Sequence, residues 1–135
     1  MKTVLFVCIH NSGRSQMAEA FFNRAARGKH TAISAGTQPA EKVNPIVAKA
    51  MNEVGIDISL NTPKALTIEM VQRADRMITM GCGDDASGVC PAKIILTEDW
   101  ALDDPKDKPI EEVRRIRDEV RARVDKLLAE LQHGS

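Results

Sequence analysis

The chain has 135 residues, a length that suits a single domain with a substantial core. Its 19 basic and 19 acidic residues cancel, which removes the general electrostatic reason to expect nucleic acid or an anionic membrane as partner. With three Phe, one Trp and no Tyr, it has too few aromatics for a platform on which single-stranded nucleic acid stacks.

Lys2 precedes an apolar run that stops at Ile9, where His10, Asn11 and Arg14 intervene. The start therefore reads as a strand over residues 3–9 and not as a secretion signal. No later stretch approaches a membrane span. A cytoplasmic protein is expected, in a compartment that keeps thiols reduced. There, Cys8, Cys82 and Cys90 point to catalysis, redox chemistry or metal binding rather than to structural disulfides.

Residues 15–27 read as a helix with Met17, Ala18, Phe21, Phe22 and Ala25 on one side, stopped by Gly28. A short strand follows at 30–36. Residues 44–55 carry helix punctuation: Asn44 as N-cap, Pro45 at the first helical position, Gly55 past the end. A short helix is predicted at 67–74, and strands at 76–81 and 93–98. The last element, 109–132, repeats Ile110, Val113, Ile116, Val120, Val124, Leu127, Leu128 and Leu131 at helical spacing, with Glu111–Arg115 and Glu119–Arg123 as four-residue ion pairs. Its charge run reads as a solvated helix face.

This alternation predicts a single α/β domain over 1–135, a four-stranded, mainly parallel sheet with helices on both faces. Ligands in such folds bind beyond the carboxyl ends of strands. Three loops then matter: 8–15, 81–91 and 98–108.

The first is an anion cradle with a thiol at its base. A turn between strand and helix can aim the backbone amides of Ile9, His10, Asn11, Ser12, Gly13 and Arg14 at one centre, and the helix N-terminus adds partial positive charge. Ser12 and Gly13 permit the tight path. Arg14 can grip two oxygens of a tetrahedral oxyanion. Cys8, at the strand end, is favoured as a thiolate by the same dipoles. Ser15 is placed to hydrogen-bond the thiolate, and Asn11 to brace the loop. A nucleotide-binding P-loop is excluded, because no Gly-x4-Gly-Lys-Ser/Thr is present.

"CIHNSGRSQMAEA" resembles the signature loop of the low-molecular-weight tyrosine phosphatase superfamily, with "SAGT" and "NPIVAKAMNEVGIDIS" fitting as well. The likeness covers essentially the whole chain. Family loops usually carry Gly before the Asn, where His10 stands here; His10 reads as a rim residue rather than a base. The superfamily holds phosphatases and arsenate reductases, which share a first step: a thiolate attacks the oxyanion and an acid protonates the departing oxygen. The resemblance puts that acid at Asp104, with Asp103 as the alternative.

Phosphatases of this kind place aromatics after the Asp-Pro; here Lys106, Asp107 and Lys108 follow. The loop "MGCGDDASGVCP" holds Cys82 and Cys90 with seven residues between them. No Cys-x2-Cys pair supports zinc, so no metal and no other cofactor is expected. Resemblance to thioredoxin-coupled arsenate reductases makes Cys8 the first thiol, Cys82 the second and Cys90 the third, with a redox disulfide between Cys82 and Cys90. It implies arsenate as substrate and thioredoxin, or another thiol, as reductant; a monomer is expected. Some such reductases hold potassium beside the loop asparagine. Asn11, Glu19, Ser34 and Thr62 match that neighbourhood, but Lys64 stands where a carboxylate is expected, so its ammonium is expected to replace the ion. The other readings are a protein tyrosine phosphatase and an oxyanion or redox sensor without turnover.

Overall fold

The computed structural model describes residues 2–80, 98–100 and 102–134. Cys82, Cys90 and most of the strand expected at 93–98 lie outside the described residues. Within them the order is β1 (Thr3–Cys8), α1 (Arg14–Ala26), β2 (Thr31–Gly36), α2 (Pro45–Asn52), α3 (Ile68–Arg73), β3 (Arg76–Thr79), β4 (Glu98–Asp99) and α4 (Ile110–Gly134). The sheet has four strands in the order β2-β1-β3-β4, and every pairing is parallel.

The centre falls to β1 because its side chains are apolar on both faces. Val4 and Phe6 pack with α1 and α4 residues such as Phe22, Ile116 and Val120. Leu5 and Val7 face the other way, toward Ala35 and the α3 side chains Met70 and Val71. Helices thus cover both faces of the sheet, as the alternation predicts. Punctuation works locally as read: Asn44 Oδ1 accepts from Ile46 N at 2.9 Å, Thr67 caps α3 by accepting from Met70 N, and Gly28 has a left-handed φ of 83° just after α1. Ala25 is exposed; the buried position near the end of α1 is Ala26.

Val113, Ile116, Val120 and Val124 of α4 are fully buried, each worth about 1.5–3 kcal/mol of apolar transfer. The charged side of the helix departs from the expected pairing: among the described residues neither Glu111–Arg115 nor Glu119–Arg123 forms an ion pair. Arg115 turns to Asp103 at 2.7 Å and to Glu112 at 3.0 Å, since a loop carboxylate lies within reach. Glu53, after α2, takes Arg114 (2.7 Å) and Arg117 (3.0 Å) of α4. The Arg114 hydrogen bond, with Arg117 behind it, holds the Glu53 carboxyl down to about 2 from its ordinary 4.5. A depressed carboxyl stabilises the fold above its unfolded value, and that stabilisation is lost as pH falls through the folded value. Acid titration of thermal stability between pH 4.5 and about 2 is expected to show a decline that Glu53→Gln flattens; equal slopes in both proteins would rule out this pairing as a contributor.

Candidate active site

Cys8 ends β1 at the carboxyl edge of the sheet, a buried free thiol. The loop that follows wraps against residues 37–44. Loop carbonyls accept hydrogen bonds from that outer segment: Cys8 O from Thr37 N (3.3 Å), Ile9 O from Gln38 N (2.8 Å), His10 O from Ala40 N (2.9 Å) and Ser12 O from Asn44 N (2.9 Å). A trans peptide sets its N–H opposite its carbonyl, so carbonyls drawn outward turn the following amides inward. The Asn11 amide shows this: it donates to Cys8 Sγ at 3.1 Å. α1 begins at Arg14 with no side-chain cap, which leaves its first N–H groups to the same concavity. Backbone donors gathered above a thiol in this way can hold an anion.

The strained residue of the loop is Asn11, with a left-handed φ of 51°. Asparagine tolerates that conformation better than most residues. His10 is not among the residues with positive φ, so it fits where the family favours glycine. Its Nδ1 donates to Gln38 O at 3.0 Å, since a carbonyl can only accept. Gly13 has a negative φ of −142° and serves space rather than backbone freedom: a Cβ there would meet the Pro105 ring at 2.9 Å. Gly36 is tighter still, as a Cβ would stand 2.6 Å from Ile9 O. The tight path expected of Ser12 and Gly13 is thus made by Asn11 and by the room left at Gly13 and Gly36.

Ser15 Oγ lies 2.8 Å from Cys8 Sγ, and Asn11 Nδ2 donates to the same Oγ at 2.7 Å. With that acceptor site filled, the hydroxyl hydrogen is available for the sulfur. Two donors, one amide and one hydroxyl, thus face the Cys8 sulfur.

Arg14 is buried and ties the loops together: Nη1 donates to Met80 O (2.5 Å), after β3, and to Leu102 O (2.8 Å), after β4. Its Nη2 lies 3.8 Å from Asp104 Oδ2. Asp104 is half exposed, accepts from Lys106 N at 3.0 Å, and borders a cavity of about 350 Å³ with Cys8, His10 and Arg14. Asp103 points away to Arg115. Of the residues expected at the site, Cys8, His10, Asn11, Ser12, Gly13, Arg14, Ser15 and Asp104 therefore come together, and Ile9 contributes its outward carbonyl. Cys82 and Cys90 fall outside the described residues.

The sequence reading passed over three participants. Lys42 and Lys106 rim the cavity and, with Arg14, leave it cationic; surface lysines carry no motif. Gln16 is fully buried and donates to Asn11 Oδ1 at 3.1 Å. A polar residue in the first turn beside the buried Met17 was the available signal.

The potassium neighbourhood does not fit a cation. Asn11 Oδ1 already accepts from Lys64 N (2.8 Å) and Gln16 Nε2, which uses both lone pairs. Lys64 Nζ stands 3.7 Å from Glu19 Oε1 as the counter-charge. Burial pushes the Glu19 carboxyl above its ordinary value, and Lys64 opposes that shift. The buried Ser34 hydroxyl has no well-aligned hydrogen bond, but one hydroxyl does not make a cation site.

Comparison with known proteins agrees with this geometry. An arsenate reductase of Staphylococcus epidermidis is 40% identical over 126 residues, 92% of this chain and 93% of that protein. A solved arsenate reductase in a phosphate-binding state superposes with a TM-score of 0.80 at 39% identity, over 96% of this chain and 98% of that one. A thioredoxin-dependent arsenate reductase of Corynebacterium glutamicum matches all of this chain and 64% of its own, at 34% identity and a TM-score of 0.78. A family model matches residues 3–135, and the chain belongs to the low molecular weight phosphotyrosine protein phosphatase family.

Proposed function

We propose that the protein reduces arsenate to arsenite with its own thiols and is recycled by thioredoxin. The observation that carries the chemistry is the Cys8 sulfur, which receives the Asn11 amide and faces the Ser15 hydroxyl at the floor of a cationic cavity that Asp104 borders. The Cys8 thiolate attacks arsenic while Asp104 protonates a departing oxygen, which leaves as water. The Cys82 thiolate then attacks the Cys8 sulfur. The sulfur–arsenic bond breaks, its electron pair stays on arsenic, and arsenite departs from a Cys8–Cys82 disulfide. Cys90 attacks Cys82, frees Cys8 and leaves a Cys82–Cys90 disulfide for thioredoxin to reduce.

Phosphatase activity is the second reading, because the family loop serves both reactions. The cavity wall supports the reductase: Val43, Pro45, Pro105 and Lys106 line it, and no aromatic does among the described residues. The test is arsenate-dependent NADPH consumption with thioredoxin and its reductase, beside hydrolysis of an aryl phosphate. Arsenate turnover lost in both Cys82→Ser and Cys90→Ser supports the relay. Aryl phosphate hydrolysis unchanged in Cys82→Ser, without arsenate turnover in the parent, would favour the phosphatase.

Asp104→Asn is expected to lower kcat by about 10²–10⁴-fold, the usual range for a lost proton donor. Asp103→Asn should leave kcat within about twofold and cost only a surface ion pair. A larger loss in Asp103→Asn would reverse the assignment. Because Lys64 supplies the counter-charge to Glu19, exchanging sodium for potassium should not move the melting temperature; clear stabilisation by potassium would contradict it.

A further inference from the structure

Behind the cradle, side-chain amides line up with a single polarity. One backbone donor fixes it: Lys64 N donates to Asn11 at 2.8 Å, so the Asn11 atom there is the oxygen and its NH₂ faces Ser15. Gln16 then presents its NH₂ to Asn11 Oδ1 at 3.1 Å, and its own oxygen accepts from Asn61 Nδ2 at 3.2 Å. The chain runs Asn61 to Gln16 to Asn11 to Ser15 to Cys8, each member donating to the next. Gln16, Asn11 and Ser15 are fully buried; Asn61 is exposed.

We propose that Gln16 and Asn61 are positioning residues, which act through Asn11 and Ser15 to keep a one-way run of hydrogen bonds aimed at the Cys8 sulfur. Each donor polarises the next, so the hydroxyl that meets the sulfur is a better donor than an isolated serine. Gln16 also braces the side chain of Asn11, the left-handed residue whose own amide donates to the sulfur. Without Gln16 the Asn11 side chain keeps only the Lys64 amide on its oxygen and is freer to turn. The effect needs no change among the charged and titratable groups near the sulfur: His10, Arg14, Lys42, Asp104 and Lys106 border the cavity, and Glu19 and Lys64 pair behind Asn11.

This inference rests on Cys8 acting as a thiolate nucleophile, and its test reads the sulfur with no arsenate present. Iodoacetamide alkylation of the Cys8 peptide in the reduced full-length protein is followed by mass spectrometry at neutral pH. Gln16→Met keeps the side-chain volume and removes both polar atoms; alkylation is expected to slow about tenfold. In arsenate turnover the same variant should lose kcat with KM unchanged. Asn61→Ala, at an exposed position, should slow alkylation about twofold in the same direction. Unchanged alkylation in folded Gln16→Met would overturn the proposal, and so would a loss confined to a raised KM, which marks a damaged cradle. If Gln16→Met does not fold, Asn61→Ala decides: slower alkylation supports the hydrogen-bond run, and an unchanged rate overturns it. Slow alkylation in the variants with no arsenate turnover in the parent would leave the hydrogen-bond run standing and remove the reductase reading.

Discussion

Cys8→Ser is expected to lower arsenate turnover by a factor on the order of 10⁴ or more while the fold survives. A serine hydroxyl needs a base to become a nucleophile, and the described site offers none. His10 spends its Nδ1 hydrogen bond on Gln38 O, and the Ser15 hydroxyl already accepts from Asn11. Asp104 lies across the cavity beside Arg14, where its proposed task is to donate a proton. The substitution removes little volume at a position only 6% exposed, so the cradle amides stay in place. Arsenate should therefore still raise the melting temperature of Cys8→Ser through binding to the folded state. A variant that keeps a tenth of the parent turnover would show that another group carries the first step.

Gly36→Ala should do the most structural damage for a single methyl group. Its Cβ would stand 2.6 Å from Ile9 O and 3.0 Å from Asn11 N, and these neighbours are backbone, not flexible side-chain ends. The glycine cannot yield easily. It pairs with Cys8 in the β1–β2 register, donates to Lys64 O at 2.8 Å and accepts from Leu66 N at 2.9 Å. Relief must come from the loop, which carries the amides proposed to bind the oxyanion. A shift of about 1 Å in such a constellation costs on the order of 10²-fold in rate, and overpacking costs about 1–3 kcal/mol. The expected result is a folded protein with a lower melting temperature and kcat/KM down about 10²-fold. Parent-like values for both would mean that the loop backbone is more yielding than its hydrogen bonds imply.

The sequence carries the fold well because its signals are local. The apolar, β-branched run at Val4–Val7 reads as a strand buried on both faces, and the repeat from Val113 to Leu128 reads as a helix with one apolar side. The candidate site is legible where one loop holds it together, since Cys8, Asn11, Arg14 and Ser15 lie within a single turn. What connects distant segments is not legible. Nothing local says that residues 37–44 draw the loop carbonyls outward, or that Gly36 makes room for Ile9 O. Arg14 reads as an oxyanion clamp, and the structure adds that it ties Met80 O and Leu102 O, contacts 66 and 88 residues away. Residue type alone does not separate Asp103 from Asp104; the resemblance favours Asp104, and the structure adds the turn that sends Asp103 to Arg115 and Asp104 toward Arg14.

The central claim is that the electrons for arsenate come from the protein's own thiols. A single turnover tests it most directly. Fully reduced protein, freed of added thiol, is mixed with arsenate, then arsenite is quantified and the cysteines are mapped by alkylation and mass spectrometry. The account predicts arsenite equimolar with protein, a Cys82–Cys90 disulfide and a free Cys8. No arsenite without an added thiol, with Cys82 and Cys90 both still reduced, would contradict it.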